Sequence, residues 1–293
     1  MKLTPKCIPC IVNARAREII NYSKLSDEEK IRALSKLLKV ISDNSSPNVS
    51  TITLATIGFR AVKELIGDND PYREYKALSN KIARELLDYV LKEAGSLEGY
   101  ERFRFLVITS INANAIDPGV PPFHYDPKEL KKALTRKDLD VDQTRGIYEA
   151  IRRARHVVFM LDNAGEAVFD KILVEEIVKL GPKVVVLAKS EPYQNDVTVN
   201  DAIELGFDKV AEVVGTGSDY GGPLPEGLSK EAKELLAKTD LIIAKGMANY
   251  EAFLYAPPKK PVAHLFKAKC EPVANTLGVD VGARIAILKR NVA

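Results

Sequence analysis

Two patterns of hydrophobic spacing divide the chain. Through the first hundred residues, apolar positions recur at helical intervals. In SDEEKIRALSKLLKVIS they are Ile31, Leu34, Leu37, Leu38 and Ile41, and Ser26 precedes Glu29 at the spacing of a capping box. SSPNVSTITLATIGFRAVKELIG predicts a helix in its later part, capped at Gly67, and PYREYKALSNKIARELLDYVLKEAG predicts a long amphipathic helix ending at Gly95. Short apolar runs then take over: RFRFLVITS, HVVFMLD, KVVVLAK, KVAEVVG, LIIAKG, VAHLF and ARIAILK. Several alternate with helical stretches, which predicts an α/β fold whose mostly parallel sheet is covered on both faces. The expected organisation is a helical N-terminal region over residues 1–100 and an α/β domain over residues 101–293.

Ligands of open parallel sheets sit beyond the carboxyl ends of the strands. Four such ends are unusually polar here. The first carries Ser110, Asn112, Asn114 and Asp117, and the second Asp162, Asn163 and Glu166. The third carries Lys189, Ser190, Asn195 and Asp196, and the fourth Lys245, Asn249 and Glu251. Carboxylate and amide oxygens are hard donors for magnesium, manganese and similar ions, and lysines suit phosphate. The plain alternative is that Asp162, Asn163 and Asp196 only cap the helices that follow, with the lysines solvated in loops. Four convergent ends favour a site. GTGSDYGG, residues 215–222, also follows a strand but lacks the third glycine of a dinucleotide fingerprint, so it reads as a mobile loop at the cleft.

Composition adds little against this reading. Apolar residues make up 46% and charged residues 28%, an ordinary globular balance. The net charge of +3 argues neither for nor against an anionic partner, and no nucleic-acid partner is expected. No run approaches the length of a membrane span, and the first twenty residues lack a signal-peptide pattern, so a cytoplasmic protein is expected. Glutamine is confined to Gln143 and Gln194 amid abundant Lys and Glu, a bias seen in hyperthermophile proteins. Cys7, Cys10 and Cys270 are an odd count, which argues against a disulfide framework. They could brace the N-terminal helix, form a redox pair, or hold zinc with His124, His156 or His264 completing the set.

The motifs CIPC (7–10), SINANAIDPG, LDNAGE, KSEPYQND, KGMANYE and KAKCEP occur in this order over nearly the whole chain. In order and spacing the chain resembles the metal-dependent damage-control phosphatases, formerly the domain-of-unknown-function family eighty-nine, in their stand-alone subfamily I. The resemblance implies a helical region packed on a Rossmann-like core. It implies a divalent ion (Mn, Ni, Mg or Co) held by Asp162, Asn163 and Asp196, and hydrolysis of small phosphorylated metabolites such as sugar phosphates or damaged nucleotides. The subfamily's motif positions correspond to Cys7, Cys10, Ala248, Asn249, Tyr250, Glu251, Lys269 and Cys270. Ala248 and Tyr250 stand where the subfamily has glycine and phenylalanine, so Ala248 tests whether that backbone needs glycine.

Within this reading Asp162 and Lys245 are the catalytic candidates. Asp162 either attacks phosphorus or holds a water on the ion, and Lys245 would neutralise charge on the phosphoryl oxygens. Asn112, Asn114, Lys189, Asn249 and Glu251 would shape the substrate pocket. Two other readings remain: an S-adenosylmethionine-dependent carboxyl methyltransferase, against which stands the lack of a glycine-rich loop after the first strand, and a non-catalytic phosphometabolite- or metal-binding module.

Overall fold

The computed structural model describes residues 1–116, 127–134 and 136–290. Asp117 and His124 lie outside the described residues. The N-terminal helices are α1 (Cys7–Tyr22), α2 (Asp27–Asn44), α3 (Thr51–Ile66), α4 (Arg73–Gly95) and α5 (Gly99–Asn112). The expected capping box opens α2, with Ser26 and Glu29 bonding reciprocally, and Gly67 closes α3 with a left-handed φ of 68°. After α6 (Pro127–Leu134), β1 (Val141–Asp142) and α7 (Thr144–Arg153) lead into the strands. These are β2 (His156–Met160), β3 (Lys183–Ala188), β4 (Glu212–Gly215), β5 (Leu241–Lys245), β6 (Val262–Lys267) and β7 (Arg284–Lys289). Between them run α8 (Glu166–Lys179), α9 (Val199–Glu204), α10 (Lys230–Lys238), α11 (Gly246–Tyr255) and α12 (Glu271–Asn275).

The sheet order is β1-β7-β6-β5-β2-β3-β4, parallel throughout except for the β6–β7 pair. Strand side chains alternate between two buried faces. Val157, Phe159, Val184, Val186, Leu241 and Ile243 pack with α4, α5 and α8, whereas Val158, Met160, Val185, Leu187, Ile242 and Ala244 face α10 and α11. Helices α1–α3 share a separate small core around Ile19, Leu37, Leu54 and Val62. Among the described residues, no helix is long and apolar enough to cross a membrane.

One expected strand is a helix. RFRFLVITS lies inside α5, not in the sheet. Residues 106–112 are all buried there, and Phe103, Leu106, Val107, Ser110 and Ile111 follow helical spacing. A helix buried on nearly every side presents the same continuous apolar run as a buried strand. Ser110 and Asn112 therefore end a helix, and Asn114 follows it in a turn of 3-10 helix.

Candidate functional site

Strand β2 has β3 on one side and β5 on the other. The chain leaves β2 in one direction and later returns to its opposite edge, which opens a crevice above the β2 and β5 ends. Asp162 and Asn163 follow β2 directly. Asp196 reaches them because the loops after β2 and β3 are tied together. Asn163 and Asp196 form an antiparallel bridge, Val197 N donates to Asp162 O at 2.8 Å, and Ala164 N donates to Asn195 O at 2.8 Å.

None of the three side chains caps a helix. The N-cap of α8 is Gly165, whose N–H donates to Asn80 Oδ1 at 2.8 Å. The N-cap of α9 is Thr198, which forms a capping box with Asp201. The capping alternative is thereby removed, and Asp162, Asn163 and Asp196 line one cavity of about 520 Å³. At Gly246 φ is 77°, and a side chain there would collide with the Asp162 carboxylate. Ala248, two residues on, lies inside α11 without a positive φ, so the residue that needs glycine is Gly246.

The site is crowded with negative charge. Burial pushes the Asp162 carboxyl well above its usual range; Glu166 and Asp196 add to the rise, and Lys269 and Lys245 oppose it. Burial likewise raises Asp196 to about 6, against the pull of Lys189, whose Nζ lies 3.5 Å from its Oδ2. Two buried carboxylates and an amide, all hard oxygen donors, are what a divalent cation would relieve. Asn163 Nδ2 donates to Asp162 Oδ2 at 2.5 Å, so ligation through Asn163 Oδ1 requires its amide to turn over. Among the described residues, no three His, Cys, Asp or Glu side chains form a ready metal cage.

A second cavity, of about 280 Å³, adjoins the first and shares Ala14, Asn163, Asn195 and Lys269 with it. Lys269 thus borders both lobes. Lys245 borders neither. Its ammonium is 1% exposed and donates to Glu166 Oε1 at 2.9 Å and Asp170 Oδ1 at 2.8 Å. Burial lowers the Lys245 pKa, but Asp170 and Glu166 more than restore it, so the charge is locked in place. That differs from the expected phosphoryl contact, because two buried carboxylates on the inner face of α8 capture the ammonium.

The remaining candidates separate into two groups. Glu251, Ala248 and Asn163 line the larger lobe, while Asn114 lines the smaller one and donates to Glu166 Oε2 at 2.7 Å. Asn112, Lys189, Asn249 and Tyr250 line neither. Asn112 donates to Arg136 O at 2.8 Å, Lys189 to Tyr220 O at 2.5 Å, and Asn249 to Lys245 O at 2.7 Å. Tyr250 is fully buried and stacks on Phe266. The cysteines converge: Cys7, Cys10 and Cys270 all line the larger lobe beside Lys269. His156 starts β2 at the end remote from Asp162, and His264 is buried against Tyr250 and Phe253, so neither borders this lobe to complete a thiol site.

GTGSDYGG is not a free loop. Asp219 pairs with Arg60 and Lys63 of α3, and Gly221 N donates to Thr56 Oγ1 at 3.1 Å. It fastens α3 across the strand ends and lines neither lobe. Sequence reasoning also missed Arg15 and Glu18, a pair buried on the otherwise apolar inner face of α1. Charges at helical spacing among Cys7, Ile11 and Ile19 were the available signal. Gln194 was missed too. Its φ of 46° places a strained backbone beside Asp196, and its side chain reaches Glu18 Oε1 at 2.9 Å.

The Damage-control phosphatase ARMT1-like domain matches residues 3–285. The chain is 36% identical over 293 residues to a damage-control phosphatase of Archaeoglobus fulgidus, covering 98% of this chain and 99% of that one. It is 34% identical over 297 residues to an uncharacterized protein of Methanocaldococcus jannaschii, with 99% and 96% coverage. The crystal structure of a DUF89 family protein from Pyrococcus horikoshii superposes with a TM-score of 0.88 at 29% identity, covering 98% of this chain and 99% of that one.

Proposed function

The chain belongs to the Damage-control phosphatase ARMT1-like family and is a phosphatase; on that premise we propose that it clears small phosphorylated metabolites, sugar phosphates or damaged nucleotides and their precursors, using a divalent ion. A cytoplasmic location goes with that reading. What supports it is the tie between the loops after β2 and β3, which sets Asp162, Asn163 and Asp196 around one cavity at the sheet's switch point.

Asp162, Asn163 and Asp196 would hold the ion, with Mn, Ni, Mg and Co all suited to such oxygen donors. The bound ion would supply Lewis-acid polarisation of the phosphoryl group. Lys269, at the junction of the lobes, offsets charge on the phosphoryl oxygens, the part the sequence assigned to Lys245. Lys245 instead fixes Glu166 from below, and Glu166 in turn receives the Asn114 amide. Helices α1 and α3 border the larger lobe.

The test is hydrolysis of p-nitrophenyl phosphate with each of the four ions, before and after chelation. Asp196→Asn should lower kcat/KM by at least about a hundredfold and weaken metal binding measured by calorimetry. No hydrolysis with any ion would return the protein to the methyltransferase or binding-module readings.

A further inference from the structure

Four charged residues line the smaller lobe: Arg17, Glu18, Glu166 and Lys269. The two acids are buried and already engaged within the protein. Glu18 Oε1 receives Arg15 Nη2 at 3.2 Å, Tyr72 Oη at 3.0 Å and Gln194 Nε2 at 2.9 Å. Glu166 receives Lys245 Nζ at 2.9 Å and the Asn114 amide at 2.7 Å. The two cations are in the opposite state. Arg17 on α1 and Lys269 after β6 are exposed, and among the described residues neither side chain has an ion-pair or hydrogen-bond partner. The lining is balanced by count, yet the charge that a ligand can reach in it is positive.

We propose that the smaller lobe binds a second anionic group of the substrate, a carboxylate or a further phosphate, held by Arg17 and Lys269. The proposal rests on the phosphatase reading of the adjoining lobe, which takes the phosphate that is cleaved. Asn163, Asn195 and Lys269 border both lobes, so one ligand can span them, whereas Arg17 borders the smaller lobe alone. Lys269 thus stands between the two anions and Arg17 beside the second. At about 30 Å³ per water, the lobe of about 280 Å³ has room for roughly nine heavy atoms, enough for a carboxylate or phosphate on a short carbon arm. A planar guanidinium offers two parallel N–H donors to either group. An alcohol without a second anion would leave Arg17 with water alone.

The experiment measures kcat/KM on the full chain with manganese for three esters of one carbon skeleton. They are n-propyl phosphate, the phosphate ester of 3-hydroxypropionate, and 1,3-propanediol bisphosphate. Wild type should favour at least one of the two doubly anionic esters over n-propyl phosphate by at least about tenfold, the scale of one hydrogen bond to a charged group. Which ester is favoured tells carboxylate from phosphate. Arg17→Gln should bring the preference towards unity, and Arg17→Glu should invert it. Arg17 is exposed, so both variants should fold. Equal wild-type rates, or a preference unchanged in both variants, overturn the proposal. Hydrolysis of all three esters without preference defeats this assignment alone, whereas failure on p-nitrophenyl phosphate as well defeats the phosphatase reading with it.

Discussion

Lys245 shows how burial decides a residue's role. Its position at a strand end suggests substrate contact, yet its Nζ is closed in by Glu166, Asp170 and the Ser110 carbonyl. Burial still drives Asp170 up to about 6 despite that lysine, and Ser110 Oγ adds a hydrogen bond at 2.5 Å. Removing one partner of such a group leaves uncompensated buried charge, at a cost of about 3–5 kcal/mol. Lys245→Met should lose that much in urea unfolding at pH 7. A loss below about 1 kcal/mol would mean that Glu166 and Asp170 do not depend on Lys245. Gly246 and Asp162 show the complementary case, where the absence of a side chain admits a carboxylate against the start of α11.

At the scale of elements, caps determine which polar groups remain free. Thr198 closes the first turn of α9 with Asp201, so Asp196, two residues earlier, can face the cavity. Strand β6 carries a different device. His264 is buried beside Tyr250 and Phe253, with Nδ1 unpartnered, and burial, aided by Lys289, lowers its pKa to about 3. Above about pH 6.5 the imidazole is neutral in folded and unfolded chains alike. Below that, the unfolded chain binds a proton that the folded chain refuses until about pH 3, so stability falls across this window. At pH 4 the penalty is about 3 kcal/mol. His264→Phe should therefore gain roughly that amount relative to wild type between pH 7 and pH 4 in urea unfolding. Parallel curves for the two proteins would refute the assignment.

For the whole molecule, α3 joins the small helical core to the sheet. Thr51 reaches Glu251 of α11, Lys63 reaches Pro192 O at 3.2 Å, and Arg60 and Lys63 grip Asp219 beyond β4. Burial raises the Asp219 pKa, but the hydrogen bonds from Arg60 and Lys63 outweigh it and hold the group below the usual range. Asp219→Ala should cost about 2 kcal/mol, and each kcal/mol lowers Tm by roughly 2–4 °C in a protein of this size. Because α1 and α3 border the larger lobe, KM should rise more than kcat falls. An unchanged KM in a destabilised protein would show that the clamp serves stability alone.

The sequence by itself determined the element types wherever periodicity was strong and ends were marked. Ser26 with Glu29, Gly67, Gly95 and the β-branched runs at 157–160 and 183–188 are local signals, readable without a partner. It also determined that Asp162, Asn163 and Asp196 stand just beyond strands. Local signals failed in α5, where burial on all sides erases the period that separates helix from strand. They could not show that Lys245 is enclosed, because that depends on which carboxylates lie within 3 Å, and Asp170 is a neighbour of Lys245 only through the packing of α8. Nor could they bring Glu18 to Gln194, 176 positions apart. Pattern along a chain records which face of an element is buried. Only the tertiary structure decides what it is buried against, and at this site that decides which charges are paired and which remain free for a ligand.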